Sequence, residues 1–396
     1  MEIIKGYKKT ELGLVPADWH LKRFEEVMTG FSSGNTPSRS MPEFYKGNIL
    51  WITSGELNYN IITDTAEKVT EEAVKHENLK ILPENTFLIA ITGLEADGTR
   101  GSCGITGKEA TTNQSCMALF PGKELSGEYL YHFYVRFGGQ LALKYCQGTK
   151  QQSYTGKIAR ILPIVLPPTV DEQDSIANAL NTAGLLIKSL EKLIQKKKAI
   201  KSATMQLIFT GKKRLSGFSQ PWKVVNLGDT CSEITTGKLD ANAMVSNGMY
   251  RFYTCAKEYY HIDEYAYDTE ALMISGNGSN VGYIHYYKGK FNAYQRTYVM
   301  SGFNENVHYL KAYLDIYLKD RIFTEANAGN TPYIKMDTLT GMSVRLPSDK
   351  AEQKAIADLI SDMDLELEKL EVKLGKYKAL KAGMMDELLT GRIRLV

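Results

Sequence analysis

The chain has 396 residues, 43% of them hydrophobic and 23% charged, which excludes a disordered or low-complexity protein and leaves room for two or three domains with cores. A net charge of only +3 excludes nucleic-acid affinity driven by bulk charge, so any such binding must come from local clusters. Five cysteines form no C-x-x-C pair, and no run of about 18 apolar residues or hydrophobic leader occurs. The expectation is a cytoplasmic protein with reduced thiols and no membrane contact.

Residues 1–16 read as an N-terminal arm, followed by Pro16-x-x-Trp19 and a first variable segment, 17–165. That segment carries the polar loop Ser33-Gly34-Asn35-Thr36-Pro37 and a buried strand, Phe87–Ala90, running into a glycine-rich turn with Arg100. Gln114 precedes the strand Cys116–Phe120, and an aromatic helix follows around Tyr129–Phe137. A polar loop after Gly148 holds Lys150, Gln151, Gln152, Ser153 and Tyr154. Leu166-Pro167-Pro168 ends the preceding strand, and Thr169 or Asp171 caps a helix within 166–215. Its apolar residues Ile176, Leu180, Ala183, Ile187, Leu190 and Ile194 follow the 4-3 spacing of a coiled-coil seam. Lys197 interrupts it, and resumption is expected one position off, at Ile200.

A second variable segment, 216–345, opens on Pro221-Trp222 and repeats the pattern in different residues. It has the loop Thr236-Gly237-Lys238, the strand Ala271–Ile274, and the turn Gly276–Gly282 with Asn277 and Asn280. Gln295 and Arg296 then precede the strand Tyr298–Met300, an aromatic helix spans Tyr309–Tyr317, and Asn330, Thr331, Tyr333 and Lys335 follow Gly329. In 346–396 the seam reads Ile356, Ile360, Met363, Leu367, Leu370 and Leu374. Tyr377 breaks it, with resumption expected at Leu380.

The strongest pattern is a repeat. Residues 166–215 align without a gap onto 346–395 at an offset of 180, with 18 of 50 positions identical. The proline and tryptophan that follow the repeat in mid-chain are missing after its second copy and appear near the N-terminus, so the repeat is cyclic. Each helix has about 40 residues, or roughly 60 Å, and neither can bury its stripe alone. The expected fold is α/β: two mixed α/β domains on an antiparallel coiled coil with pseudo-two-fold symmetry. Ile176, Leu180, Ile187, Leu190 and Ile194 would pack on Ile356, Ile360, Leu367, Leu370 and Leu374.

Catalytic constellations are absent from the sequence. No Gly-Lys dipeptide is followed by Ser or Thr, so no P-loop is completed. The six histidines form no metal-like pair, no N-P-P-Y-type run occurs, and the turn at Gly276–Gly282 is followed by a strand. Neither a catalytic nor a metal-binding residue is therefore expected. Amides and guanidinium groups suited to base edges, and lysines and hydroxyls suited to phosphates, cluster in the recurring polar loops. The candidates are Ser33, Asn35, Thr36, Arg100, Gln114, Lys150, Gln151, Gln152 and Tyr154, then Lys238, Asn277, Asn280, Gln295, Arg296, Asn330, Tyr333 and Lys335. Taken singly each reads as a solvated loop side chain; their recurrence in both halves is what points to binding. The lysines from Lys188 to Lys201 read mainly as the solvated outer face of a coiled coil.

Taken together, the arm Tyr7–Gly13 with Pro16 and Trp19, the Leu-Pro…Glu-Gln start of each repeated helix and its Thr-Gly-x-x-Arg-Leu end resemble the specificity subunits of type I restriction-modification systems. The resemblance spans essentially the whole chain. It implies two target recognition domains, each reading one half of a split, asymmetric site on double-stranded DNA. The coiled coil would act as a ruler and dock two methyltransferase subunits. Those partners would supply S-adenosylmethionine chemistry, with adenine favoured as target, and a motor-nuclease subunit would supply cleavage. This chain would have no cofactor and no catalysis of its own. The rival class is a coiled-coil adaptor with two peptide- or glycan-binding domains, favoured by the low net charge.

Overall fold

The computed structural model describes residues 6–148, 150, 152–325 and 332–395. It divides into two compact units, Met1–Glu191 with Lys373–Val396, and Lys192–Val372. Both divisions fall inside the two long helices, Val170–Phe209 and Lys350–Leu388, so each unit contains half of each helix.

Within the first unit the core sheet has the strand order Met28–Ser33, Cys116–Pro121, Phe87–Ala90, Cys103–Thr106, Asn60–Ile62. Phe87–Ala90 is buried along its whole length, as a central strand covered on both faces must be. A separate three-stranded sheet forms from Ile49–Ile52, Lys68–Val69 and Ala110–Thr112. A small satellite core of Phe44, Trp51, Val69, Ala73 and Leu79 lies against it. The aromatic helix is Gly127–Tyr145.

The second unit keeps the same plan in one six-stranded sheet: Cys231–Thr236, Thr297–Phe303, Tyr267–Ser275, Ile284–Ala293, Tyr250–Tyr253, Tyr260–Ile262. Its strand Ile284–Ala293 does alone what Cys103–Thr106 and Ala110–Thr112 do as two pieces in the first unit. Alternation splits the central strand between two cores. Leu272 and Ile274 join the helix-covered core, while Ala271 and Met273 join a smaller aromatic one.

The repeated motifs turn out to be the two halves of one clasp, built once in each unit. Glu172 is buried and pairs with the Arg394 guanidinium, with Nη2 donating to Oε2 at 2.8 Å. Glu352, fully buried, takes Arg214 in the same way at 3.0 and 2.6 Å. The adjacent glutamines cap the aromatic helices. Gln173 Oε1 accepts the Ser126 amide at 2.9 Å, and Gln353 Oε1 accepts that of Asn306 at 2.9 Å. Tyr129 and Tyr309 then donate to the carbonyls of Val165 and Arg345. Of the two expected caps on the first long helix, Thr169 does the work, its hydroxyl accepting from the Glu172 amide at 3.2 Å.

Inside each unit the helix halves run antiparallel. In the first, Ile176 and Leu180 share a core with Met385, Leu388 and Leu389, and Lys378 reaches Glu191 at 2.7 Å. In the second, Met205, Ile208 and Phe209 share a core with Ile356 and Ile360. Lys197 pairs there with Glu366 at 2.6 Å, Lys198 with Glu371 at 2.6 Å, and Lys201 with Asp364. Leu190, Ile194 and Leu367 are buried, and Ile187, Leu370 and Leu374 are half-buried. One expectation is corrected. The seam does not shift to Ile200 and Leu380, which are 42% and 55% exposed. It continues in 4-3 register through the half-buried Lys197, Lys201, Tyr377 and Lys381 to Thr204 and Met384, with the buried Met205 and Met385 one position beyond and Ile208 and Leu388 back in register. Lys197 and Lys201 fill their positions with their stems and carry their ammonium groups to Glu366 and Asp364.

Candidate functional site

Each unit gathers its polar loops into one rim. In the second unit Gly237 passes so close to Ala293 that a β-carbon would lie 2.0 Å from its carbonyl oxygen, so only glycine fits. Leu239 then bridges to Tyr294, and the Gln295 side chain donates from Nε2 to Asp240 Oδ1 at 2.5 Å. Next to this, the Cys255 thiol contacts Asn277 Oδ1 at 3.2 Å and the Arg296 carbonyl at 3.4 Å, and Asn280 Nδ2 donates to the Cys255 carbonyl. The segment carrying Tyr333 and Lys335 joins through the Ile334 amide, which donates to the Gly276 carbonyl at 2.8 Å. Lys238, Gln295, Arg296, Tyr333 and Lys335 are exposed on this rim; Asn277 and Asn280 are half-buried and hold it together.

The first unit builds the same rim from other residues. Gly34 replaces Gly237, its absent β-carbon position 1.6 Å from the Thr112 carbonyl oxygen. Thr36 donates to Gln114 Oε1 at 2.5 Å, and Trp51 Nε1 donates to the Asn35 carbonyl at 3.1 Å. The Leu94 amide donates to the Gln152 carbonyl, and the Tyr154 amide to that of Ile91, matching Ile334 and Gly276. Ser33, Asn35, Gln114 and Lys150 are exposed there.

Two candidates have other occupations. Arg100 spends its guanidinium on its own loop, donating to the Leu94 and Glu95 carbonyls and to Asp97. Tyr154 is buried in the core, where burial pushes its phenol well above the ordinary range. Gln151, Asn330 and Thr331 lie outside the described residues. The thiols of Cys103 and Cys116 are raised by burial and belong to the core. Among the described residues, no group of three or more His, Cys, Asp or Glu side chains is placed to hold a metal ion, and no helix is long and apolar enough to cross a membrane.

Residues 16–202 and 219–374 match the family model described as the type I restriction modification DNA specificity domain. The chain belongs to this family. Among similar specificity-domain proteins, the EcoDI type I restriction enzyme specificity subunit of Escherichia coli is 38% identical over 170 residues, covering 43% of this chain and 37% of that protein. The MjaIX specificity subunit of Methanocaldococcus jannaschii is 29% identical over 190 residues, 47% of this chain and 42% of its own. The matched region thus spans less than half the length of these curated relatives. A solved type I restriction-modification S subunit from M. genitalium shares the fold, with a TM-score of 0.64, 15% identity and 98% of both chains covered.

The two halves of this specificity-domain chain therefore share a frame and differ on the rim, where Gln114 and Gln295 are among the few side chains kept. Sequence reasoning missed the residues beside the second rim. Arg251 lies 4.3 Å from the ring centroids of both Tyr259 and Tyr287, and Tyr253 is buried beneath it. Alternating aromatics in Tyr250–Tyr253 and Tyr283–Tyr287 were the available signal.

Proposed function

We propose that the chain is the sequence-reading subunit of a type I restriction-modification complex, binding double-stranded DNA through its two rims and catalysing nothing itself. The observation that carries this is the duplicated rim: one loop arrangement, supported by identical clasps, presenting unlike polar side chains in each unit. A pair of unlike readers on a repeated frame suits a split, asymmetric site. Exposed Gln114, Gln295 and Arg296 have the donors and acceptors for base edges, and Lys150, Lys238 and Lys335 suit phosphates. The paired helices are the surface on which two methyltransferase subunits would dock. Those subunits would bind S-adenosylmethionine and modify adenine, a motor-nuclease subunit would cleave, and the complex would work in the cytoplasm. The names of the relatives support the reading, as does the family.

The test is a gel-shift salt series with the full chain on a pool of random duplexes. Binding should weaken steeply between 50 and 200 mM salt, as phosphate contacts release counterions. Absence of binding at low salt, with the chain folded, overturns the reading.

A further inference from the structure

We infer that Arg251 is a specificity-determining residue of the second unit, offering a fixed, planar donor edge to a guanine in its half-site. The inference rests on the DNA-reading function proposed above. Arg251 and Tyr253 alternate onto one face of the strand Tyr250–Tyr253, and His285 and Tyr287 do so on the neighbouring strand Ile284–Ala293. The guanidinium carbon sits 4.3 Å from each of the Tyr259 and Tyr287 ring centroids. One nitrogen, Nη1, faces the Tyr253 hydroxyl at 3.4 Å. Tyr253 is itself fixed by Phe291 and His285, whose ring centroids lie 5.7 and 5.0 Å away. The guanidinium is thus held between these groups before any ligand arrives.

The two tyrosine rings crowd the guanidinium carbon, and Arg251 is only half-buried, so a guanidinium held in this way keeps N–H donors for a ligand. Among the described residues no carboxylate forms an ion pair with it. The first unit supplies the contrast. Arg39 lies 4.2 Å from the Tyr45 ring centroid and 5.5 Å from that of Trp51, but Glu67 takes both its Nη1 and Nη2, at 2.6 and 2.8 Å. There a carboxylate satisfies the fork; in the second unit Nη1 donates one long hydrogen bond to the Tyr253 hydroxyl, and among the described residues Nε and Nη2 have no partner.

Position ties the open fork to the rim. Tyr253 leads through Thr254 into Cys255, whose thiol contacts Asn277 and the Arg296 carbonyl, and the His285 ring meets the Ala256 carbonyl at 2.9 Å. A requirement for positive charge alone would be met by a flexible lysine. A pre-oriented fork suits a planar ligand with two adjacent acceptors, which guanine presents as O6 and N7 in the major groove.

The experiment selects sequences from random duplex DNA with the full chain, comparing wild type with Arg251→Gln and Arg251→Lys. With wild type enriching a split sequence, Arg251→Gln should lower the preference for guanine at one base pair of one half-site by roughly ten- to a hundredfold. The other half-site should be unchanged. Arg251→Lys, which keeps the charge, should lose less at that same base pair, and it carries the test should the glutamine variant fail to fold. Uniform weakening across all sequences would make Arg251 a phosphate contact, and an unaltered profile would make it a structural filler; either overturns the inference alone. A folded wild type that enriches no sequence sinks the recognition reading with it.

Discussion

Arg394 and His132 show how single side chains hold the first unit together. Removing Arg394 leaves Glu172 as a buried carboxylate without its cation, which costs more than the pair itself is worth. Because Arg394 is 29% exposed, the cost of Arg394→Ala should be about 2 kcal/mol, below that of a wholly buried pair. A urea melt should show it as a lower midpoint with unchanged slope. His132 is 2% exposed, its Nε2 bonded to Asn181 and its Nδ1 without a partner among the described residues. Burial pulls its pKa down to about 4. The unfolded chain, with a histidine near 6.5, then binds more protons between those two values. The neutral imidazole's stability is complete above about pH 6.5 and is lost as pH falls towards 4. Wild type should lose about 2 kcal/mol more than His132→Gln between pH 7.5 and 5. Equal losses in paired melts would contradict this. The motifs containing Glu172 and Arg394 were visible in the sequence, but their pairing was not, because 222 positions separate them.

Among the elements, the long helices were the most legible, since a repeated 4-3 spacing leaves one face to bury. Their central turns were misread for a physical reason. A pattern scored on apolar residues alone sees Lys197 and Tyr377 as breaks, whereas in the fold they are half-buried positions of an unbroken seam. Ile200 and Leu380 are consequently outside it. Urea denaturation can check this within one helix. Ile360→Ala opens a cavity in the second unit's core and should cost about 2–4 kcal/mol. Leu380→Glu should stay within about 0.5 kcal/mol. The opposite order would restore the shifted seam. Strands showed a similar limit: Phe87–Ala90 and Ala271–Ile274 are buried as their composition demands. Nothing local told that one unit would bend its sheet through a single strand and the other through two.

For the whole molecule, modularity is the main expectation. Exchanging residues 17–165 for the corresponding segment of another specificity protein keeps the Glu352–Arg214 clasp untouched. Within the first unit, the exchanged segment must still meet Gln173 at the position of Ser126 and Arg394 at the position of Asp18. With those contacts preserved, the exchange should alter one half-site only, as read by selection from random duplexes. A change in both would mean that the two rims do not read independently.

What the sequence determined by itself was the repeat, the helical period, the doubled α/β plan and the family. These are carried by near-neighbour spacing and by residue types that recur at a fixed offset. What only the tertiary structure decided was occupancy: which arginine is spent on its own loop, as Arg100 is, which is closed by a carboxylate, as Arg39 is, and which stays open, as Arg251 does. A side chain's availability depends on partners brought close by folding, and residue identity carries no trace of them.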